Sequence, residues 1–148
     1  MTIDRVTPEK YPPNIQAILR RTAPAASILG QELLEVDTQK GSVTVAYNTG
    51  EALSNRYGAI HGGMTAAMLD DAISLAAGLT IGWGQITPTL EMKVSYIKQG
   101  IPGARLVAVA QTVRRGASII FLEADLKSED GTLVATASST VTITPLKR

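Results

Sequence analysis

The chain of 148 residues has no cysteine and a single histidine. The first absence excludes a disulfide framework, a thiolate nucleophile and a cysteine-ligated metal; the second excludes a multi-histidine metal cage. No metal site and no cofactor is expected. Aromatic residues are also scarce, with one Phe, one Trp and four Tyr. Fourteen Lys and Arg against thirteen Asp and Glu leave a net charge of +1. With neither a basic field nor a ladder of stacking rings, no nucleic-acid partner is expected. Long apolar runs are missing too. The longest uncharged stretch, Ala72 to Leu90, is broken by Gly78, Gly82, Gly84, Gln85 and Pro88, so it reads as a buried helix followed by a loop, not a membrane span. Residues Met1 to Pro8 lack the apolar segment of a secretory signal and carry an early acid, which predicts a cytoplasmic protein. No fixed-period repeat, low-complexity tract or charge block marks a linker.

The length fits one domain over residues 1–148, and 45% hydrophobic content suffices for a core. Residues 1–30 read as an N-terminal helical extension. Within it Ile15, Ile18 and Leu19 fall at helical spacing, predicting a short helix from about Asn14 to Thr22 that clips one edge of the domain. Leu33–Val36 and Ser42–Tyr47 read as two strands joined by the turn signal at Asp37–Gly41. Met64 to Thr80 is almost wholly helix-compatible and apolar, so a helix there has to be covered on nearly every side. Four strand-like runs follow, roughly Gln85–Lys98, Ala104–Arg115, Ser118–Lys127 and Leu133–Thr144, with short glycine-bearing connections. In the first run Leu90, Met92, Val94 and Tyr96 alternate with Thr89, Glu91, Lys93 and Ser95, giving a dry face and a wet one. Hairpin-length connections imply antiparallel neighbours. The expectation is an α+β domain in which a curved antiparallel sheet of about six strands wraps one long central helix. An open ferredoxin-like layer would need a second long helix, which the sequence lacks.

The segment Asn55 to Met64 and the helix after it carry the residues suited to chemistry. Gly62 and Gly63 at a helix start leave the N–H groups of the first turn open to an approaching molecule, and the positive end of the helix dipole stands behind them. Such amides can hold the oxyanion formed when a thioester or other acyl carbonyl is attacked. The other reading of these glycines is tight packing of helix against sheet. Asp70 and Asp71 are the only charges between Arg56 and Glu91. Adjacent on a helix, they point about 100° apart and cannot act as one chelating pair. One is expected to face a polar cavity and the other the solvent or an interface; ordinary solvated charges are the plainer reading. Gly62 and Asp70 are eight residues apart, roughly 12 Å along a helix, too far for one chain to bring both to a single carbonyl. A symmetric dimer with antiparallel helices would set Asp70 of one subunit opposite Gly62 of the other, giving two identical sites. His61 is the only imidazole, and before a helix it reads either as a loop-fixing hydrogen-bonder or as a base. No Gly-x-Ser-x-Gly run supports a Ser-His-Asp hydrolase. Arg114 and Arg115 before Gly116 put two cations at a tight turn, where they either meet phosphates or stay solvated.

Together, Asn55-x-x-Gly58-x-x-His61-Gly62-Gly63 with Asp70, the run Thr87 to Tyr96, Val113-Arg114-Arg115-Gly116 and Asp130 to Ala137 resemble the hotdog-fold acyl-CoA thioesterases of the phenylacetate-degradation (PaaI-like) type, over about residues 41–144. The resemblance implies a hotdog fold, a homodimer with two shared sites that often pairs into a tetramer, and hydrolysis of an acyl-CoA substrate without a cofactor. It implies that the Gly62 N–H polarises the thioester carbonyl and that Asp70 of the facing subunit is nucleophile or general base. By the same resemblance Asn55 orients thioester or water, Thr89 supplies a hydroxyl near the acid, and His61 is supporting. Gly63 lies beside the carbonyl site, and Arg114, Arg115 and Gly116 lie where such enzymes meet CoA. Two further readings are a non-catalytic acyl-CoA-binding protein on the same fold and an enoyl-CoA hydratase-like enzyme using His61 with Asp70.

Overall fold

In the computed structural model, which describes residues 6–147, prolines start each of the short N-terminal helices. Pro13 opens α1 (Pro13–Leu19) and Pro24 opens α2 (Pro24–Ile28), where a ring-fixed φ suits the first helical turn and the missing N–H is no loss. The helix expected to reach Thr22 therefore ends at Leu19. Pro24 holds Ala23 in an extended conformation, and the chain begins a second helix that the apolar spacing did not predict. Of the segment Met1 to Pro8, on which the expectation of no secretory signal rests, residues 1–5 lie outside the described residues.

Next come β1 (Gln31–Asp37), β2 (Ser42–Asn48), the long α3 (Gly62–Gly78), a short β3 (Gln85–Ile86), β4 (Thr89–Tyr96), β5 (Arg105–Arg115), β6 (Ile119–Ser128), β7 (Leu133–Thr142) and a short β8 (Thr144–Pro145). Six strands make one antiparallel sheet in the order β1-β2-β5-β6-β7-β4, and β3 pairs with β8 in a separate two-stranded ladder. This is the expected α+β architecture, a six-stranded sheet against a single long helix. The run expected over Gln85–Lys98 is split in two, because Pro88 has no N–H to continue a ladder and its carbonyl instead accepts from Thr142 N–H.

Period-2 alternation positions the core. Leu106, Ala108 and Ala110 of β5 and Ile120, Leu122, Ala124 and Leu126 of β6 turn inward onto Met68, Leu69, Ala72, Ile73 and Ala76 of α3. Small alanines at facing positions let helix and sheet approach closely. The opposite face of α3, with Ala66, Ala67, Asp70, Asp71, Ser74 and Leu75, is only half-buried. On β4 the expected alternation holds at its centre, where Met92 and Val94 pack against the core, and fails at its ends. Leu90 and Tyr96 stay exposed, and a register shift between Thr89 and Glu91 disturbs the pleat. β4 is an edge strand: no other strand among the described residues pairs with its outer side.

Candidate functional site

The loop before α3 is fixed by its own polar groups. Asn55 Oδ1 accepts from the N–H of Tyr57 at 2.8 Å and of Ala59 at 3.2 Å, while the Asn55 N–H donates to Ala59 O at 2.7 Å. This Asx turn commits the carbonyl end of the side chain and leaves its NH2 group as the end able to meet another molecule. His61 caps α3: its Nδ1 accepts from Gly63 N–H at 3.0 Å, and its carbonyl accepts from the N–H groups of Met64 and Thr65. Of its two proposed roles, the loop-fixing one is what the geometry displays.

That cap sorts the two glycines. The Gly63 N–H is taken by the imidazole, and a Cβ on Gly63 would come within 3.2 Å of His61 Nδ1, so Gly63 serves the cap. The Gly62 N–H donates to no acceptor among the described residues. A Cβ on Gly62 would lie 3.5 Å from the Tyr96 ring, ordinary van der Waals contact, so tight packing within this chain does not account for that glycine. The His61–Gly62 peptide is polarised by the two N–H groups on its carbonyl, which strengthens its own N–H as a donor. The first turn of α3 also holds no acidic residue to offset the positive end of the helix dipole. Asn55, Gly62, Thr65 and Tyr96 line one open cavity of about 370 Å³.

Tyr96 enters the site unannounced by the sequence, where it read as one more residue of a strand's dry face. Its hydroxyl donates to Gly62 O at 2.9 Å and its ring lies over Gly62, tying the end of β4 to the start of α3. The only signal available was an aromatic with a polar tip at a strand end.

The two helix carboxylates part company as their 100° offset requires. Asp71 turns toward β1 and β2, where its Oδ2 accepts from Gln31 Nε2 at 2.6 Å and from the Tyr47 hydroxyl at 2.7 Å. Tyr47 is fully buried and shares its proton between Asp71 and Met68 O, 2.8 Å away. Burial, and next the Asp71 charge, push its phenol far above the ordinary range. Asp70 turns the other way, toward β4, and its Oδ1 accepts from Thr89 Oγ1 at 2.9 Å. Asp71 is thus a structural anchor, and Asp70 is the carboxylate left with one oriented oxygen and one uncommitted.

Within one chain these groups form two separate clusters. Asn55, Gly62, Gly63 and His61 gather at the start of α3, and Asp70 with Thr89 lies eight residues on, about 12 Å along the axis. Arg114, Arg115 and Gly116 sit at the far end. Arg115 Nε donates to Thr80 O at 3.4 Å, just beyond the C-terminus of α3, and its Nη1 donates to Gly116 O at 2.7 Å. Gly116 is required by the hairpin, since a Cβ would meet Ile119 O at 2.9 Å. Arg114 is exposed, and its guanidinium makes no hydrogen bond or ion pair among the described residues. Those residues hold no group of three or more His, Asp or Glu able to bind a metal ion, and no helix long and apolar enough to cross a membrane.

Residues 57–135 match the family described as the thioesterase superfamily. The chain is 29% identical over 109 residues to acyl-coenzyme A thioesterase 13 of Homo sapiens, covering 73% of this chain and 76% of that protein. Among solved structures, a phenylacetic acid degradation-related protein of Ralstonia eutropha superimposes with a TM-score of 0.80 at 33% identity, covering 87% of this chain and 98% of the other. The phenylacetic acid degradation protein PaaI of Thermus thermophilus, in mutant form, gives a TM-score of 0.73 at 27% identity over 81% and 98% of the two chains.

Proposed function

The chain belongs to the thioesterase superfamily, and from that premise we propose that it hydrolyses acyl-CoA thioesters at sites shared between two copies. The observation that carries this reading is the pairing of an unoccupied Gly62 N–H at the positive end of α3 with an oriented Asp70 carboxylate eight residues further along. The 12 Å between them is too long for one carbonyl within a chain and suits two antiparallel helices related by a two-fold axis. The half-buried face of α3 that carries Ala66, Ala67 and Asp70, and the open outer edge of β4, are surfaces a second copy would cover.

In that assembly the thioester carbonyl oxygen accepts the Gly62 N–H of one protomer, and Asp70 of the partner subunit stands at the carbonyl carbon. As general base, Asp70 takes a proton from water while the oxygen attacks; as nucleophile, it forms a mixed anhydride that water then opens. In both routes the C–S bond breaks, the negative charge on the carbonyl oxygen builds and collapses at the amide, and the CoA thiolate leaves and is protonated. Thr89 holds Asp70 in place, the Asn55 NH2 is free to orient substrate or water, and Gly63 and His61 fix the turn that presents the amide. Arg114, unpaired at its hairpin with Gly116, is the cation open to a CoA phosphate; Arg115 is tied to the end of α3. A dimer of dimers and a cytoplasmic setting belong to the same reading. The hydratase-like alternative needs His61 as acid or base, and its Nδ1 is already committed to the helix cap, which favours the hydrolase reading.

The test is thiol release from a panel of short, medium, long and aromatic CoA esters by the wild-type protein and Asp70→Asn. Turnover by the first and a loss of at least a hundredfold in a folded second is expected. Unchanged turnover in Asp70→Asn contradicts the assignment, and stoichiometric binding without turnover across the panel favours an acyl-CoA-binding protein.

A further inference from the structure

Beyond the C-terminus of α3, the N-terminal helix and the chain end enclose a second cavity, of about 300 Å³, that the chemistry above does not use. Ala17 and Ile18 of α1 form one wall, Gly78 and Ile81 the floor, and Trp83 and Leu146 the other wall. The absence of a side chain at Gly78 makes the floor: a Cβ there would come within 3.1 Å of Ile18 Cδ1. The polar groups at the margin are already committed to backbone. Asn14 Nδ2 donates to Ile81 O at 3.2 Å, and Gln85 Oε1 accepts from Gly82 N–H at 2.8 Å. What remains is a mostly apolar lining, of a size at the lower end of small-ligand pockets. Leu146 is pinned to the rim by its N–H on Gly84 O at 2.8 Å, yet 57% of Leu146 and 75% of Trp83 remain exposed.

The cavity is joined to the candidate acid by a single stretch of chain. Residues 83–90 run from Trp83 at the rim past Thr89, whose hydroxyl holds Asp70. Three large apolar side chains along that stretch, Trp83, Ile86 and Leu90, are left uncovered. Gly78 lies eight residues beyond Asp70 on α3, about 12 Å along the axis. With C–C bonds of about 1.5 Å, a zigzag chain advances about 1.25 Å per carbon and covers that span in about ten carbons.

We infer that this cavity receives the far end of the substrate's acyl chain, so that the protein prefers thioesters of about ten carbons or more and α1 helps set that preference. The inference rests on the thioesterase reading for the identity of the chain and adds to it a binding site built from residues outside the catalytic clusters. Each methylene that enters is worth up to about 0.8 kcal/mol, or about fourfold in kcat/KM, and less where the wall is open. Methylenes nearer the carbonyl do not reach the cavity, so the gain starts at about eight carbons.

Trp83 is the only tryptophan in the chain, so its fluorescence reads the cavity directly, whether or not turnover occurs. The experiment measures kcat/KM on saturated CoA esters from four to fourteen carbons for the wild type and for Ala17→Phe, a change at an exposed position that fills the cavity. Alongside it, Trp83 emission is followed in Asp70→Asn titrated with decanoyl-CoA, acetyl-CoA and CoA. The expected result is a two- to fourfold rise per methylene between eight and twelve carbons that Ala17→Phe abolishes while leaving butyryl-CoA unaffected, with a Trp83 shift on decanoyl-CoA alone. Thiol release with a flat length profile and a silent Trp83 overturns the inference and leaves the thioesterase reading intact. No thiol release from any ester, with Trp83 still responding to decanoyl-CoA alone, leaves the acyl site and overturns the hydrolase. An equal response to CoA overturns the acyl assignment, since the cavity would then hold the carrier.

Discussion

Replacing Gly62 by proline removes one atom group of interest, the amide hydrogen, and little else. Gly62 is the first residue of α3, the one helical position where proline is preferred. His61 before it has φ −58° and ψ 134°, the extended conformation that a following proline demands. The new Cβ would stand 3.5 Å from the Tyr96 ring, a contact that forces no shift. The N–H lost has no acceptor among the described residues, so no internal hydrogen bond breaks. Folding stability is therefore expected to hold, or to rise by about 0.4–1 kcal/mol as the unfolded chain loses freedom. Catalysis is expected to collapse. An oxyanion donor contributes about 2.7–4 kcal/mol to the transition state, which is about a hundred- to a thousandfold in kcat. Thermal denaturation and thiol release on the same preparation read both quantities, and Gly62→Ala, which retains the N–H, separates the steric cost of a new Cβ from the loss of the amide. A Gly62→Pro protein that melts normally and turns over at the wild-type rate would refute the role given to this amide.

Two other substitutions separate catalytic support from structural support. Thr89→Val keeps the shape and deletes the hydroxyl that orients Asp70; a misplaced catalytic group costs up to about a hundredfold, so kcat is expected to fall about ten- to hundredfold in a protein that still melts cooperatively, checked by turnover and melting. Tyr47→Phe deletes the buried hydroxyl on Asp71 and Met68 O, and is expected to lower unfolding free energy in urea by about 1–2 kcal/mol with turnover preserved. Because the folded state raises the Tyr47 pKa above its unfolded value of about 10, that contribution is complete below about pH 10 and is lost as pH climbs beyond it. The stability gap between wild type and Tyr47→Phe should thus narrow from pH 9 to about pH 11, and a constant gap would count against the buried phenol.

Local patterns in the sequence were enough for the parts of the fold that depend on neighbours. The strand-like runs between Gln85 and Thr144 and the short glycine-bearing connections between them predict antiparallel hairpins, and the apolar stretch after Gly62 predicts a covered helix. Pro24 and Pro88 caused the misses, since each ends one element and lets another begin where hydrophobic spacing suggests continuity. In the site, Gly62 was singled out by its place at a helix start, but the difference between Gly62 and Gly63 depends on which N–H His61 accepts. Asp70 and Asp71 could be told to diverge but not which way. That choice is made by Gln31, 40 residues from Asp71 in sequence, Tyr47, 24 away, and Thr89, 19 from Asp70. Tyr96 escaped notice for the same reason, its partner Gly62 being 34 residues distant.

The shared site is tested most directly by mixing two dead proteins. Gly62→Pro lacks the amide and keeps the acid; Asp70→Asn lacks the acid and keeps the amide. After subunit exchange at equal concentrations, half of the dimers are mixed, and each mixed dimer has one intact site built from the good half of either chain. Thiol release should climb from background to about a quarter of the wild-type rate. If exchange is complete by mass and no activity returns, amide and acid work within one chain and the two-chain site is wrong.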